Sequence, residues 1–402
     1  MRKFDFDAVI DRSNTSSSKW NVKKGELPLS TADMDLACPD RLIQALQDRM
    51  KCPIFGYTEP NPEWYESYIN FFETRHHFKM DKSWMMFSTG VVPTISSCVR
   101  KLTNVGDHVV VLTPVYNIFF NSIVNNARVV HPVELLYKDG VYHIDFENLE
   151  KAFANPKTTM MILCNPANPV GRVWIRDELY HIGQLAKKYH VVVLSDEIHC
   201  EIVRPGKEYI PYASVSPDTL DNCVMAISPT KSFNIAGLQT SCVVVPNEEL
   251  RKKVNRQLNT DEVAEPNAFA CLASSVCLDE CRDYLDAMRD YVFSNRDYVE
   301  SFIKEEIPLL SVVHADATYL CWIDISEVSL DSESFLSSLR EKTGLILNPG
   351  REYGLGGEGF VRMNLAYPKS VLKDALERLR TFVDRYYVEK NTITTFEDSV
   401  LK

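Results

Sequence analysis

The chain has 402 residues, 45% of them hydrophobic and 25% charged, with a formal net charge of -11 at pH 7. That length exceeds the usual reach of one core and predicts two domains in an ordinary globular protein. The acidic balance excludes the broad basic face that a nucleic-acid partner requires and points instead to small-molecule chemistry.

The N-terminal Met1-Arg-Lys-Phe-Asp-Phe-Asp7 carries charges where a signal peptide needs an apolar run, and no stretch is long enough to span a bilayer. The cytoplasm is therefore the expected compartment, without membrane association. Eleven cysteines are scattered through apolar runs such as Leu163-Cys164-Asn165 and Ser241-Cys242-Val243, which predicts reduced core residues. Cys277 and Cys281 are four apart on a predicted helix with Cys271 upstream. Neither a C-x-x-C pair nor a histidine accompanies them, so they read as a buried helix face and no metal is expected.

The first thirty residues, including Ser13-Asn-Thr-Ser-Ser-Ser18, are polar and aperiodic, and predict an arm. Leu27 to Pro39, with Ala32-Asp-Met-Asp35, reads as extended, and a helix follows from Pro39 to about Met50. From Trp84 to Val245 short apolar runs alternate with helical periods. The predicted strands are Trp84 to Phe87, His108 to Leu112, Met160 to Cys164, Val191 to Leu194, Val224 to Ile227 and Ser241 to Val245, with helices between them such as Arg176 to Tyr189. This alternation implies a mostly parallel sheet covered on both faces, with ligands at the carboxyl ends of its strands. A charged helix is predicted from Asp283 to Lys304. Strands at Ser311 to Asp324 and Phe360 to Leu365 then alternate with helices at Ser332 to Thr343 and Ser370 to Tyr387, which predicts a smaller, partly antiparallel layer before a polar, loose tail from Glu389.

The chemistry concentrates after strand ends. Ser228-Pro-Thr-Lys231-Ser-Phe-Asn-Ile-Ala-Gly237-Leu238 places a lysine among hydroxyls just past a buried run. A lysine in a partly dry pocket loses its proton and becomes the amine nucleophile that a Schiff base with an aldehyde cofactor needs, while Ser228, Thr230 and Ser232 offer hydroxyls to a phosphate. Alone, the stretch is better described as a solvated lysine in a Ser/Thr-rich loop. Ser88-Thr-Gly90-Val-Val-Pro93 leads from a strand into a helix whose free N–H groups suit a phosphate, although an ordinary glycine turn has the same pattern. Tyr116 in Thr113-Pro-Val-Tyr116 offers either a stacking face or a core ring. Asn165-Pro-Ala-Asn168-Pro-Val-Gly171 is more specific, since two Asn-Pro pairs stop a strand without starting an ordinary helix, and Asn168 can donate its amide to a ring oxyanion. In Ser195-Asp196-Glu-Ile-His199 a carboxylate ends a buried strand, which is costly unless a cation such as a protonated pyridine meets it. His199 would approach the same ring; a helix N-cap at Asp196 is the competing reading.

A Schiff-base lysine, a pyridinium carboxylate, a stacking aromatic, an asparagine and a glycine-led phosphate turn are the parts of a pyridoxal phosphate site. Their succession, S-T-G, P-V-Y, N-P-x-N-P-x-G, S-D-E-I-H and S-P-T-K, resembles the fold-type I aminotransferase superfamily. The details look like its MalY/PatB branch of cystathionine β-lyases. The likeness continues through Lys19-Trp20, Ala32-Asp33-Met34-Asp35, Phe55-Gly-Tyr57-Thr, Asn234-Ile-Ala-Gly237-Leu-Gln239, Thr318-Tyr319-Leu and Val361-Arg362-Met-Asn364-Leu.

The resemblance implies an α/β fold-type I architecture: a large domain with a mostly parallel seven-stranded sheet between helices, and a smaller α/β C-terminal domain. On this basis residues 1–50 form an arm and part of the small domain, 51–284 the cofactor domain, 285–390 the small domain and 391–402 the tail. It implies pyridoxal 5'-phosphate on Lys231, Asp196 at the pyridine nitrogen, Tyr116 stacked on the ring, Asn168 and His199 toward the phenolic oxygen, and Val91, Val92, Ser228 and Thr230 at the phosphate. Arg362 is implied as the fork for the substrate α-carboxylate, its competing reading being a surface salt bridge. Tyr116, Asn168 and Asp33 would also meet substrate. Tyr57 would act with Lys231 and Asp196 in catalysis by reaching the phosphate of a neighbouring subunit, which predicts a homodimer with shared sites. The implied reaction is α,β-elimination of cystathionine or another cysteine S-conjugate to pyruvate, ammonia and a thiol. An aminotransferase, or an added regulatory role with a transcription factor, are the alternatives. Gln239 stands where many aminotransferases carry a phosphate-binding arginine and His199 where many carry tyrosine. Leu29-Ser-Thr-Ala-Asp-Met-Asp-Leu36 lacks the tryptophan often found in this branch, which leaves the substrate open.

Overall fold

The computed structural model describes the backbone of residues 4–400 and the side-chain surroundings of residues 4–387. Seven strands form the main sheet, in the order Met85–Ser88, Ser241–Val244, Cys223–Ile227, Val192–Asp196, Thr158–Cys164, His108–Thr113 and Val129–Glu134. All run parallel except Ser241–Val244, which is antiparallel to both neighbours. The apolar runs become strands buried on both faces because alternate residues enter two different cores. Val110, Met161, Val193 and Met225 join one cluster; Val109, Val111, Met160, Ile162, Leu194 and Val224 join the other.

The seventh strand, Val129–Glu134, was not among the predicted runs. It lies at the sheet edge, holds Pro132 and buries only Val133, so its apolar pattern is weak. A hairpin of Leu136–Lys138 with Val141–His143 was also unread, although its Asp139-Gly140 turn, with both residues at positive φ, is a recognisable signal. The run Ser311 to Asp324 is two antiparallel strands, Ser311–Val312 and Leu320–Asp324, because Ala317 bridges Val203 of the large domain and Thr318 turns at φ 65°.

The second sheet is antiparallel throughout: Ser311–Val312, Leu320–Asp324, Phe360–Asn364 and Asn348–Pro349. Helices Ser332–Thr343 and Lys369–Val400 cover it around a core of its own. Helix Arg282–Glu306 joins the two bodies, with Leu285, Met288 and Val292 in the large core and Val299 and Ile303 in the small one. Helix Lys369–Val400 continues where a loose tail was expected, since neither proline nor glycine interrupts it; Leu401 and Lys402 lie outside the described residues.

The arm does not stay apart. Leu27–Pro28 pairs in parallel with Leu345–Ile346, and the chain beyond it is hydrogen-bonded to both bodies. Asn364 donates to the carbonyls of Thr31 and Asp33, and Asn234 donates to those of Met34 and Leu36. Gly171 allows a close approach of the two bodies: at φ 68° a Cβ there would lie 2.4 Å from Ala315 Cβ. No helix of the described residues is long and apolar enough to cross a membrane. The cysteines are all free thiols, with Cys277 and Cys281 buried in the large core.

Candidate active site

One cavity lies where the parallel strands end and the antiparallel strand begins, lined by Thr89 to Pro93, Tyr116, Cys164, Asn168, Asp196, His199, Thr230, Lys231, Gln239 and Thr240. Ala32 closes it from the arm side. The five predicted stretches meet here because each follows a strand leaving the same edge of the sheet.

Lys231 follows strand Cys223–Ile227 and donates from Nζ to the Ala32 carbonyl at 2.5 Å. Burial pushes its ammonium down to about 8 from an ordinary 10.5; the carboxylates of Asp33 and Asp196 pull it up and the charge of Arg362 pushes it further down. The amine is therefore close to losing its proton at neutral pH. Tyr319 also donates to the Ala32 carbonyl, at 3.1 Å, so a small-domain side chain fixes the acceptor that the lysine uses.

Asp196 ends strand Val192–Asp196 and is 3% exposed. No helix starts there. Its Oδ1 accepts only from the Ile198 N–H at 3.1 Å, and burial raises the carboxyl to about 7 against the opposing pull of that bond and of Lys231. A carboxylate so placed lacks a cation of its own, and a protonated ring nitrogen supplies one. Glu197, next in sequence, points the other way and is held by Asn165 Nδ2, Ser195 Oγ, the Tyr212 N–H and the Tyr209 hydroxyl. It ties the strand end to the N-P-A-N-P loop from behind. His199 is buried with Nδ1 unpartnered, and burial, aided by the charges of Lys231 and Arg362, lowers its imidazole to about 3. It is neutral near pH 7 and keeps a ring nitrogen free for a ligand.

Arg362 lies on strand Phe360–Asn364, only 4% exposed, so the surface salt-bridge reading fails. Its Nη2 donates to the Ser30 carbonyl and Asn348 Oδ1, and its Nη1 to Asn168 Oδ1 at 3.2 Å. Nε has no partner. Because Arg362 fixes Oδ1 of Asn168 as the acceptor, the amide Nδ2 of Asn168 remains the donor available to a ligand. Tyr116 lines the cavity with its ring edge-on to Phe119, and burial raises its phenol.

At the other end, Val91 and Val92 open helix Val91–Leu102, where backbone N–H groups have no intrahelical partner. Gly90 precedes them in extended backbone, and a Cβ there would crowd Pro93 Cδ at 3.3 Å. Thr230 faces the cavity. Ser228 does not line it: its hydroxyl donates to the Thr240 carbonyl at 2.6 Å and accepts from the Thr230 N–H.

The profile described as aminotransferase class I and II matches residues 24–379. The chain is 38% identical over 383 residues to cystathionine beta-lyase PatB of Bacillus subtilis, covering 94% of this chain and 99% of that one. It is 31% identical to protein MalY of Escherichia coli, over 94% and 98% of the two chains. Among solved structures, cystalysin from Treponema denticola, which contains pyridoxal 5'-phosphate, superposes with a TM-score of 0.92 at 33% identity, covering 95% of this chain and 99% of that one. The chain belongs to the MalY/PatB branch of the class I and II aminotransferase family.

Besides Ser228 and Arg362, which touch the lining residues without lining the cavity themselves, two implied residues of the branch lie outside the cavity of their own chain. Tyr57 is fully exposed in a segment without regular structure. Asp33 is turned toward the arm, paired with Arg12 at 3.0 Å and Lys19 at 2.8 Å; burial would raise its carboxyl, but the bond and charge of Arg12 and the charge of Lys19 lower it. Asp33 thus acts on Lys231 through charge rather than contact. Sequence reasoning missed Ala32 as the lysine acceptor, Tyr319 as its brace and Thr89 and Thr240 as lining. The motif D-M-D beside Lys19-Trp20 held the signal for the first: buried Lys19 reaches both Asp33 and Asp35, and Trp20 Nε1 donates to Asp35, which pins the arm over the site.

Proposed function

We propose that the protein is a pyridoxal 5'-phosphate-dependent carbon-sulfur β-lyase acting on cysteine S-conjugates, with L-cystathionine, cleaved to homocysteine, as one substrate. The observation that carries the reading is one cavity lined by Lys231, Asp196 and Asn168, with Arg362 hydrogen-bonded to Asn168 behind its wall, in a chain that aligns over 94% of its length with a relative named as a cystathionine beta-lyase.

The residues fit the cofactor. A buried carboxylate that lacks a cation, a neutral histidine with an unpartnered nitrogen, a free asparagine amide and a helix N-terminus are the partners that a pyridinium, a phenolic oxygen and a phosphate need. Lys231 would carry it, Asp196 would face its ring nitrogen, Tyr116 would stack on it, Asn168 and His199 would meet its oxygen, and Val91, Val92 and Thr230 its phosphate. Ser228 would support Thr230 from behind.

When bound, the cofactor supplies an electron sink for the charge left by loss of the α-proton. Arg362 holds the substrate carboxylate starting from its Nε–H, which has no partner within the chain. Lys231 takes the α-proton, for which its lowered basicity suits it. A thiolate then leaves the β-carbon, and the aminoacrylate released hydrolyses to pyruvate and ammonia. A chain with eleven free thiols suits a reducing compartment, which supports the cytoplasm as its location.

Purified protein supplied with S-methylcysteine or cystathionine should form pyruvate, ammonia and thiol without an added 2-oxo acid. A requirement for a 2-oxo acid acceptor would make it an aminotransferase.

A further inference from the structure

The stretch Gly350-Arg-Glu-Tyr353-Gly-Leu-Gly-Gly-Glu-Gly359 has no part in the chemistry above, yet it brings a buried aromatic ring to the guanidinium at the substrate side of the site. We propose that Tyr353 is a positioning residue for Arg362, its ring face fixing the guanidinium plane in which the fork meets a substrate carboxylate. This rests on the reading of Arg362 as that fork.

Arg362 Cζ lies 5.1 Å from the centroid of the Tyr353 ring. The hydrogen-bond partners of the guanidinium, Asn168, Ser30 and Asn348, are neutral oxygens at its edges. They leave a buried cation without a paired anion, and they restrain its edges more than its tilt. An aromatic face answers both needs: its quadrupole attracts the cation, and its flatness resists rotation out of plane. Arginine in a bidentate role depends on that plane, so a loosened guanidinium would weaken carboxylate binding before it weakened anything else.

The ring is itself held. It is 1% exposed and stands edge-on to Trp322, with centroids 5.3 Å apart. Its carbonyl accepts from the Val115 N–H at 2.9 Å, one residue before Tyr116, so one loop registers the carboxylate fork against the stacking residue. Glycines allow this approach. At Gly354, with φ 89°, a Cβ would lie 2.8 Å from Phe120 Cζ, and a Cβ at Gly350 would lie 2.0 Å from the Gly357 carbonyl.

The test uses cofactor-loaded protein and two halves of S-methylcysteine, with dissociation constants measured by calorimetry. One probe, 3-(methylthio)propionate, keeps the carboxylate and lacks the amine; the other, 2-(methylthio)ethylamine, has the reverse. Tyr353→Leu should weaken the first about tenfold and leave the second within about twofold. Tyr353→Phe, which keeps the face, should match the parent protein for both. Equal weakening of both probes by Tyr353→Leu, or no weakening of either, overturns the proposal, since a general structural role does not single out the carboxylate. Arg362→Leu is the control. If it leaves the first probe unchanged, the carboxylate reading of Arg362 fails; if it weakens that probe and Tyr353→Leu does not, only the role of Tyr353 fails. Should Tyr353→Leu not fold, ring-fluorinated phenylalanine at 353 preserves shape and weakens the face alone, and the carboxylate probe should then lose affinity with each added fluorine. Constant affinity across that series overturns the proposal.

Discussion

At the scale of single residues, burial sets the protonation states on which the chemistry depends. Burial lowers the Lys231 amine to about 8, and the neutral form is the nucleophile, so the share of reactive amine falls about tenfold per pH unit below 8. Uptake of pyridoxal phosphate by the apoprotein, followed by absorbance, should therefore speed up about tenfold from pH 6 to 7 and level off above 8. Lys231→Ala should leave no borohydride-fixed adduct, and an adduct on another lysine would reject the assignment. Asp196 has the opposite sign. Its folded carboxyl is raised to about 7 from 3.8, so the folded apoprotein binds a proton that the unfolded chain has released, and stability falls as pH rises between those values. Apo Asp196→Asn should accordingly melt above the parent at pH 8, with the gap closing toward pH 4. A gap independent of pH would mean that Asp196 is not held as an unpaired buried carboxylate. In the loaded enzyme the same substitution should impair turnover strongly, because the ring nitrogen loses its counter-charge.

Elements position these residues, and one of them is irregular. The segment from Thr31 to Leu36, a run of bends where an extended stretch was expected, gives Ala32 to the lysine, and Asn234 binds it through the Met34 N–H and the carbonyls of Met34 and Leu36, at 2.9 to 3.1 Å. Asn234 sits at φ 58°, which asparagine tolerates better than alanine. Asn234→Ala should cost roughly 2–4 kcal/mol in denaturant unfolding and slow cofactor uptake; a loss below about 1 kcal/mol would show that other contacts hold the segment. This element was the hardest to read. The buried strands and helices Arg176–Tyr189 and Ser332–Thr343 announce themselves by period, and the motifs that follow the strands sit where βα topology puts ligands. Segment 31–36 has no period. Its place is set by partners far along the chain, so its motif could be named while its contact with Lys231 could not. Strand Val129–Glu134 escaped for a related reason, since an edge strand with proline buries too little to leave a pattern. Asp33 was read as meeting substrate, but its salt bridges depend on the arm folding back, which local sequence does not encode.

For the molecule as a whole, Tyr57 is the residue that a single chain leaves without a task. It stands exposed beside Ile54 and Phe55, with Ile43 and Met50 nearby in sequence and also exposed. Apolar side chains gathered in this way suit a subunit interface, and the family resemblance expects Tyr57 to serve a neighbour's site. Mixing a Lys231→Ala chain with a Tyr57→Phe chain should then regenerate one intact site per heterodimer and raise activity above that of either homodimer. If Tyr57 serves its own chain, mixing after demonstrated subunit exchange gains nothing. Sedimentation should show a dimer, and charge placed at Phe55 should weaken it.

The return of the arm also bears on how the protein is made. Ser30 and Arg362 are hydrogen-bonded across 332 residues, and Thr31 and Asn364 across 333. The large sheet is complete once Val244 has been synthesised, but the roof over Lys231 cannot close until the strand Phe360–Asn364 has left the ribosome and paired. Ribosome-bound chains arrested near residue 310 should therefore hold a folded sheet yet retain pyridoxal phosphate poorly, so that loading with cofactor is among the last events of biosynthesis.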